Sequence, residues 1–393
     1  MVYVLQVEIE AEAFMNCIAL TEFDLGENLT TIGRSAFENT GLRYLPRVNR
    51  EWDASTNAWL KIGINATRTE YALRHIGPRA FALSRLEDIE ALEELRSLEE
   101  IGAEAFARTP ILRVPQLPPS LSKIGVGAFR NCTSLDHANL GHANITSLPA
   151  KLFAGCRKLR AVTMPKQLDD IGISVFEDCA ALVAMELPSR LQSLGERSFF
   201  GAAALRTQNF SMHFQLRSIA TSTFEGCTSL SSVALPPLTS TLHVAAFARC
   251  TALAEIVLPK TLRRIEERVF ADCTGIREIA LPQELDYIGD HAFQRCTSLS
   301  YLTLPKLGYT IGLEAFIGCN LTSAGSIGWS GVQCDTNSRV LESGRIFGGS
   351  CWGLRPDSES VAHDPYNYYE QLSGTVGSGV QTCSACKSRD GAD

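Results

Sequence analysis

No stretch of 18 apolar residues occurs in the 393-residue sequence, so nothing in it is fit to cross a membrane as a helix. Positive charge is also in short supply: 36 Lys and Arg stand against 43 Asp and Glu, a formal net charge of −7. Phosphate-rich partners need a concentrated positive surface, so nucleic acid is not expected. The seven histidines include no i,i+4 pair and no His-Glu-x-x-His. There is no Walker loop, no Gly-x-Ser-x-Gly and no Gly-x-Gly-x-x-Gly, and Gly374-Thr-Val-Gly377-Ser-Gly379 lacks the flanking strand and helix of a phosphate loop. An enzyme is therefore not expected, nor is a cofactor. The opening Met-Val-Tyr-Val-Leu has no basic stretch leading into an apolar one, as a secretory leader would. Disorder of the whole chain is excluded too, because 45% of it is hydrophobic and only 20% charged.

What is present is a ladder of phenylalanines: Phe14, Phe37, Phe81, Phe106, Phe129, Phe153, Phe176, Phe199, Phe224, Phe247, Phe270, Phe293 and Phe316. Most steps are 23 residues, a few are 24 or 25, and one is 44. Five residues before each Phe stands an aliphatic residue, such as Ile32, Ile124, Leu148 or Ile288, usually followed by Gly. That Gly position also holds Glu10, Pro149, Ala220, His243 or Glu266, so the turn there does not require positive φ. The second half of each unit alternates, as in Leu230, Val233, Leu235, Pro236, or Ile276, Ile279, Leu281, Pro282. Residues two apart share one face of a strand, and proline ends it by lacking an N–H.

A unit of about 23 residues cannot bury its own apolar side, and stacking turns each column into an internal stripe. The expected fold is an α/β repeat solenoid of about 13 units. Each unit contributes one short parallel strand and one short helical or 3-10 turn around its Ala–Phe pair. The recurring strings, such as Ile288-Gly-Asp-His-Ala-Phe293-Gln-Arg-Cys296 followed by Leu299, Leu302, Leu304 and Pro305, resemble the BspA-like family of leucine-rich repeats. The resemblance spans roughly residues 5–327 and implies a curved binding solenoid, often used on cell surfaces in adhesion. The family pattern contains no catalytic residue to carry over. We expect residues 1–327 to form the solenoid and residues 328–393, rich in Gly and Ser, to form a cap and a flexible tail.

The ladder breaks in two places. The 44-residue step holds an insertion near residues 46–72 with Trp52 and Trp59, aromatic anchors if the loop binds anything. It also holds Ile62-Gly63, which reads as a decayed unit. Residues 85–100 set Glu87, Asp88, Glu90, Glu93 and Glu94 among Leu86, Ile89, Leu92, Leu95 and Leu98, either a short helix or a unit with an acidic exterior.

Nine of the 13 cysteines (Cys17, Cys132, Cys156, Cys179, Cys227, Cys250, Cys273, Cys296 and Cys319) hold one column, three residues after Phe; Thr40, Ser84, Thr109 and Ala202 hold it elsewhere. Such exchange describes a small, semi-buried site with reduced thiols. Cys383 and Cys386 form a C-x-x-C pair that, with Cys334 and Cys351, would make a zinc site, a disulfide or neither. Gly348-Gly-Ser-Cys351-Trp352 is similar to the active-cysteine segment of papain-like proteases, but Arg345 replaces the glutamine and too little chain follows for the partner histidine.

The expected function is a non-enzymatic protein-binding scaffold working through the strand face opposite the core. The alternative is an adhesin-like ectodomain fragment. Candidate binding residues are Trp52, Trp59, Glu186, Glu255, Glu278 and Tyr301, with a protein or glycan as partner. Compartment stays open: the chain as it stands fits the cytoplasm, whereas six Asn-x-Ser/Thr sequons (Asn28, Asn65, Asn131, Asn144, Asn209 and Asn320) fit secretion if the N-terminus is truncated.

Overall fold

Two ladders of parallel strands run along the repeat region, because each unit presents two aliphatic positions that must be buried against the next. The computed structural model describes residues 7–23, 28–45, 71–302 and 309–321 in full. It also gives the backbone of Thr303 and of the strands Arg50–Asp53, Ala58–Lys61, Val332–Cys334, Arg339–Leu341, Ile346–Phe347, Cys351–Gly353 and Val380–Thr382.

The first ladder consists of two-residue strands at the aliphatic–Gly step. Thr31–Ile32, His75–Ile76, Glu100–Ile101 and Lys123–Ile124 pair in turn, with Ile32 opposite Ile76 and Ile101 opposite Ile124. Ser218–Ile219, Thr241–Leu242, Arg264–Ile265, Tyr287–Ile288 and Thr310–Ile311 repeat the pattern further along. The second ladder holds the strands predicted from the alternation, three residues long except for the four-residue, bulged Arg113–Gln116. Arg113–Gln116, His137–Asn139 and Ala161–Thr163 form one sheet. Thr207–Asn209, Ser232–Ala234 and Glu255–Val257 form another, and Glu278–Ala280 pairs with Tyr301–Thr303. Their central residue points inward and the flanking ones outward, as a period of two requires.

The helical or 3-10 turn expected around each Ala–Phe pair does not form. Among the described residues the one helix is the 3-10 segment Glu90–Glu94, inside the acidic stretch, where the Asp88 carboxylate accepts the Glu90 N–H. Around each Phe the chain instead alternates in hand. Residues two before and two after have positive φ, as in Ser35 (52°) and Asn39 (54°), or Arg268 (58°) and Asp272 (61°). That alternation forbids a helix. It aims every second N–H at the next coil: Ser35, Phe37 and Asn39 donate to the carbonyls of Pro78, Ala80 and Ala82 at 2.9, 2.7 and 2.9 Å. The intervening amides close local turns, such as Glu38 N–H to the Ser35 carbonyl. The polar backbone of the turn side is thus satisfied by a third ladder between coils.

Glycine at the step after the aliphatic residue has ordinary φ, as the sequence suggests. The reason for it is proximity: a Cβ on Gly77 would lie 2.7 Å from the Ile32 carbonyl oxygen of the preceding coil.

The phenylalanine rungs form the dry centre. Consecutive rings from Phe14 to Phe316 stack with centroids 5.1–5.9 Å apart and planes within 24° of parallel. Those from Phe37 to Phe293 are wholly excluded from solvent. Each contributes roughly 1.5–3 kcal/mol by burial.

Phe37 stacks directly on Phe81, 5.3 Å away, and Thr31–Ile32 pairs directly with His75–Ile76. The insertion between them therefore adds no rung, contrary to the decayed-unit reading; Ile62-Gly63 itself lies outside the described residues. Arg50–Asp53 and Ala58–Lys61 form an antiparallel hairpin with Trp52 opposite Trp59 in register. At the other end Cys351–Gly353 pairs antiparallel with Thr310–Ile311 and with Val332–Cys334, which places Cys351 opposite Cys334. Cys383 and Cys386 lie outside the described residues.

Candidate functional site

The six candidate binding residues fall in three separate places. Trp52 and Trp59 occupy opposite positions in the backbone register of the hairpin. Glu278 stands opposite Tyr301 in register, and Glu255 lies on the neighbouring strand, which belongs to a different sheet. Glu255, Glu278 and Tyr301 are exposed, and Val257, at the far end of the Glu255 strand, is 77% exposed. Glu186 lies apart, where the strand face is interrupted.

That interruption is the main irregularity of the face. By repeat position Ala184–Leu187 belongs to the second ladder, between Ala161–Thr163 and Thr207–Asn209. It forms no strand and pairs with neither, so both neighbouring sheets end at open edges. Across the gap lies an open groove of about 1090 Å³ whose lining includes Met164, Met185, Glu186, Gln208, Met212 and His213. Three of the chain's five methionines are in it.

Two polar side chains are buried at this groove without partners. Gln208 occupies the inward position that Val162, Val233 and Ile279 hold in other coils. It is 5% exposed, and its Oε1 accepts no hydrogen bond. His213 is 4% exposed, packs edge-on to Phe210 at 5.4 Å, and neither Nδ1 nor Nε2 has a partner. A buried polar group without a partner typically costs about 1–3 kcal/mol. Met212, in the same lining, is 63% exposed, and Phe214, next to His213 in the chain, is 53% exposed. Sequence reasoning misses all four, although two signals were legible: glutamine breaks an aliphatic column, and the step from Phe199 to Phe224 is 25 residues.

A second, smaller groove of about 380 Å³ gathers Arg113, Arg157, Lys158 and Arg160 around Asp136. His137 contacts one oxygen of Asp136 at 3.0 Å and Arg160 approaches the other at 3.8 Å. The remaining surface is laced by ion pairs between coils, among them Arg197–Glu177, Arg249–Glu225 and Arg295–Asp272, each at 2.6 Å. At this exposure such pairs are worth little singly.

The cysteine column is set deep in the stack for most of its length. Burial pushes the Cys227 thiol up to about 12 and those of Cys250 and Cys273 upward as well, so thiolate is disfavoured. The cysteines from Cys132 to Cys319 are free and buried, while Cys17 is exposed. Among the described residues no group of three His, Cys, Asp or Glu side chains is placed to hold a metal ion. No described helix is long and apolar enough to cross a membrane.

Comparison with known proteins agrees with the repeat. The model of the BspA type leucine-rich repeat region matches residues 6–100, 99–214 and 203–322. A leucine-rich repeat protein from Bacteroides ovatus is 26% identical, with a TM-score of 0.58 over 80% of this chain and 75% of its own. One from Eubacterium ventriosum is 19% identical, with a TM-score of 0.48 over 82% of each chain. Among curated proteins no relative matches the sequence. With the family pattern covering the repeat from end to end, and the stacked coils it implies, the chain belongs to the BspA type leucine-rich repeat family.

Proposed function

We propose that the protein is a non-enzymatic scaffold that binds a protein partner through the outward side of its three-residue strands. The observation that carries this reading is the exposure of apolar side chains on that face. Val257, two residues after Glu255 on the same strand, is 77% exposed, and Tyr301, opposite Glu278 in register, is 42% exposed. A large side chain held in solvent on a rigid ladder costs stability if it does nothing, and aromatic residues ringed by polar ones are common interface anchors. The coils beneath are fixed by stacked rings and three ladders, so the surface is preorganised and little conformational entropy is lost on binding. The faintly acidic row suits a basic or neutral protein surface. The hairpin with Trp52 and Trp59 offers a second contact at the other end of the array.

The test is capture of a partner by the intact chain, compared with Glu255→Lys/Glu278→Lys and with Tyr301→Ala. Binding should fall at least tenfold with the thermal midpoint unchanged. Undiminished binding in these variants, and again after replacement of the hairpin by a short linker, removes the reading.

A further inference from the structure

We infer that the groove across the interrupted strand face, around Gln208 and His213, binds a short extended peptide with neutral, apolar side chains. The inference rests on the reading of the strand face as a binding surface and names the place and the chemistry.

Four independent features converge there. The sheets ending at Ala161–Thr163 and Thr207–Asn209 each leave an edge of backbone donors and acceptors, and an extended chain is the ligand whose own backbone alternates in the same way. Gln208 and His213 are each more than nine-tenths buried and line the groove with unpartnered atoms. The Gln208 Oε1 is an acceptor, and a neutral imidazole offers one donor and one acceptor, a set that amide groups complement. Met164, Met185 and Met212 line the same groove, and Phe214, next to His213 in the chain, is exposed. Flexible methionines accommodate varied apolar side chains. Charge at the groove is balanced: Lys166 and Glu186 are of opposite sign, and Arg190 is held by Asp169 at 2.6 and 3.1 Å. A phosphorylated or strongly charged ligand finds no cluster of opposite charge there.

The cost structure supports a site over a packing fault. Valine at position 208 would restore the column seen at Val162 and Val233, so the buried glutamine sacrifices stability that a single substitution recovers.

The experiment uses the full chain and a phage-displayed library of random 12-residue peptides. Enriched sequences are made synthetically and measured by fluorescence polarisation. Peptides should carry alternating apolar residues and bind at least tenfold more weakly to Met212→Ser/Phe214→Ser, to Gln208→Val and to His213→Leu. Gln208→Val should at the same time raise the thermal midpoint, which shows that the loss is not unfolding. Hydrogen exchange should slow at residues 161–164, 184–187 and 207–213 on binding. Failure to enrich any peptide, equal binding by all the variants, or slowed exchange elsewhere overturns the inference. So does concentration-dependent dimerisation abolished by Met212→Ser/Phe214→Ser, which would assign the groove to a second copy. Retained peptide binding in Glu255→Lys/Glu278→Lys, together with loss in the groove variants, separates this site from the rest of the strand face.

Discussion

The Sγ–H of Cys250 donates to the carbonyl oxygen of Phe224 in the preceding coil, 3.1 Å away. The same bond joins Cys227 to Phe199, Cys273 to Phe247 and Cys296 to Phe270, at 3.0–3.2 Å. Where the column holds Thr40, Ser84 or Thr109, the hydroxyl turns back to the phenylalanine carbonyl of its own coil. Cysteine is therefore more than a small filler here, because it ties one coil to the one before. Ala202 leaves the equivalent bond to the Phe176 carbonyl unmade. Ala202→Cys should raise stability by about 0.5–1 kcal/mol, and Cys250→Ala should lower it by about 1–2 kcal/mol. Urea midpoints under reducing conditions check both; equal midpoints would mean the thiols serve as volume alone.

The phenylalanine stack sets the energy scale. Phe153 is fully buried between Phe129 (5.7 Å) and Phe176 (5.9 Å). Phe153→Ala should cost about 3–5 kcal/mol, since a rigid neighbour on each side limits collapse into the cavity. Phe14, half-buried at the first described rung, has a partner on one side only and should cost clearly less. Denaturant titration of the two variants gives the ratio directly. A similar loss at both positions would contradict a rung-by-rung core.

Much of this architecture was legible because burial repeats. A side chain that must leave water recurs at the same place in every coil, and Phe, Ile and Leu columns are visible by eye. The hand of the turn was not legible. Positive φ falls on Arg79, Leu83, Ala245 and His291 as well as on Asn and Gly, so no residue type marks it, and a 3-10 turn was the natural guess. The inter-coil bonds that reward this conformation belong to the stack, not to the unit. The exposed position of Glu186 follows from counting along the strand pattern. Counting exposes Gln208 only as a break in an aliphatic column and misses His213 altogether, because what distinguishes both is the lack of a partner, a property of the neighbours.

The left-handed turn residues offer a cheap gain in stability. Ala245 has φ of 55°, a conformation its Cβ resists, while its N–H donates to the Glu267 carbonyl at 2.9 Å. Ala245→Gly keeps that bond and removes the strain. The added freedom of the unfolded chain offsets part of the relief, leaving a net stabilisation of about 0.5–1 kcal/mol. A lowered thermal midpoint would show that the side chain itself contributes packing there.

Acid should loosen a contact between the N-terminal coils. Arg79 joins three coils by donating to Glu38 on one side and to Glu104, at 2.9 Å, on the other. The Glu38 carboxylate is nearly buried, with 6% of its side chain exposed, and the Arg79 hydrogen bond holds its pKa below the ordinary 4.5 against the opposing effect of burial. A carboxylate whose folded pKa is depressed adds stability that is fully present above its unfolded pKa and is lost as pH falls through the folded one. Between pH 7 and 5 the stability of the wild type should therefore change little on this account, and below about pH 4.5 it should decline. Arg79→Gln strands the buried carboxylate and should cost about 1–3 kcal/mol at pH 7. Lowering the pH then protonates Glu38 and removes that penalty, so the gap between variant and wild type should narrow as the solution is acidified. Urea midpoints of both proteins from pH 7 to pH 3.5 measure the gap; one that widens with acid would mean that Glu38 is not the group linked to Arg79.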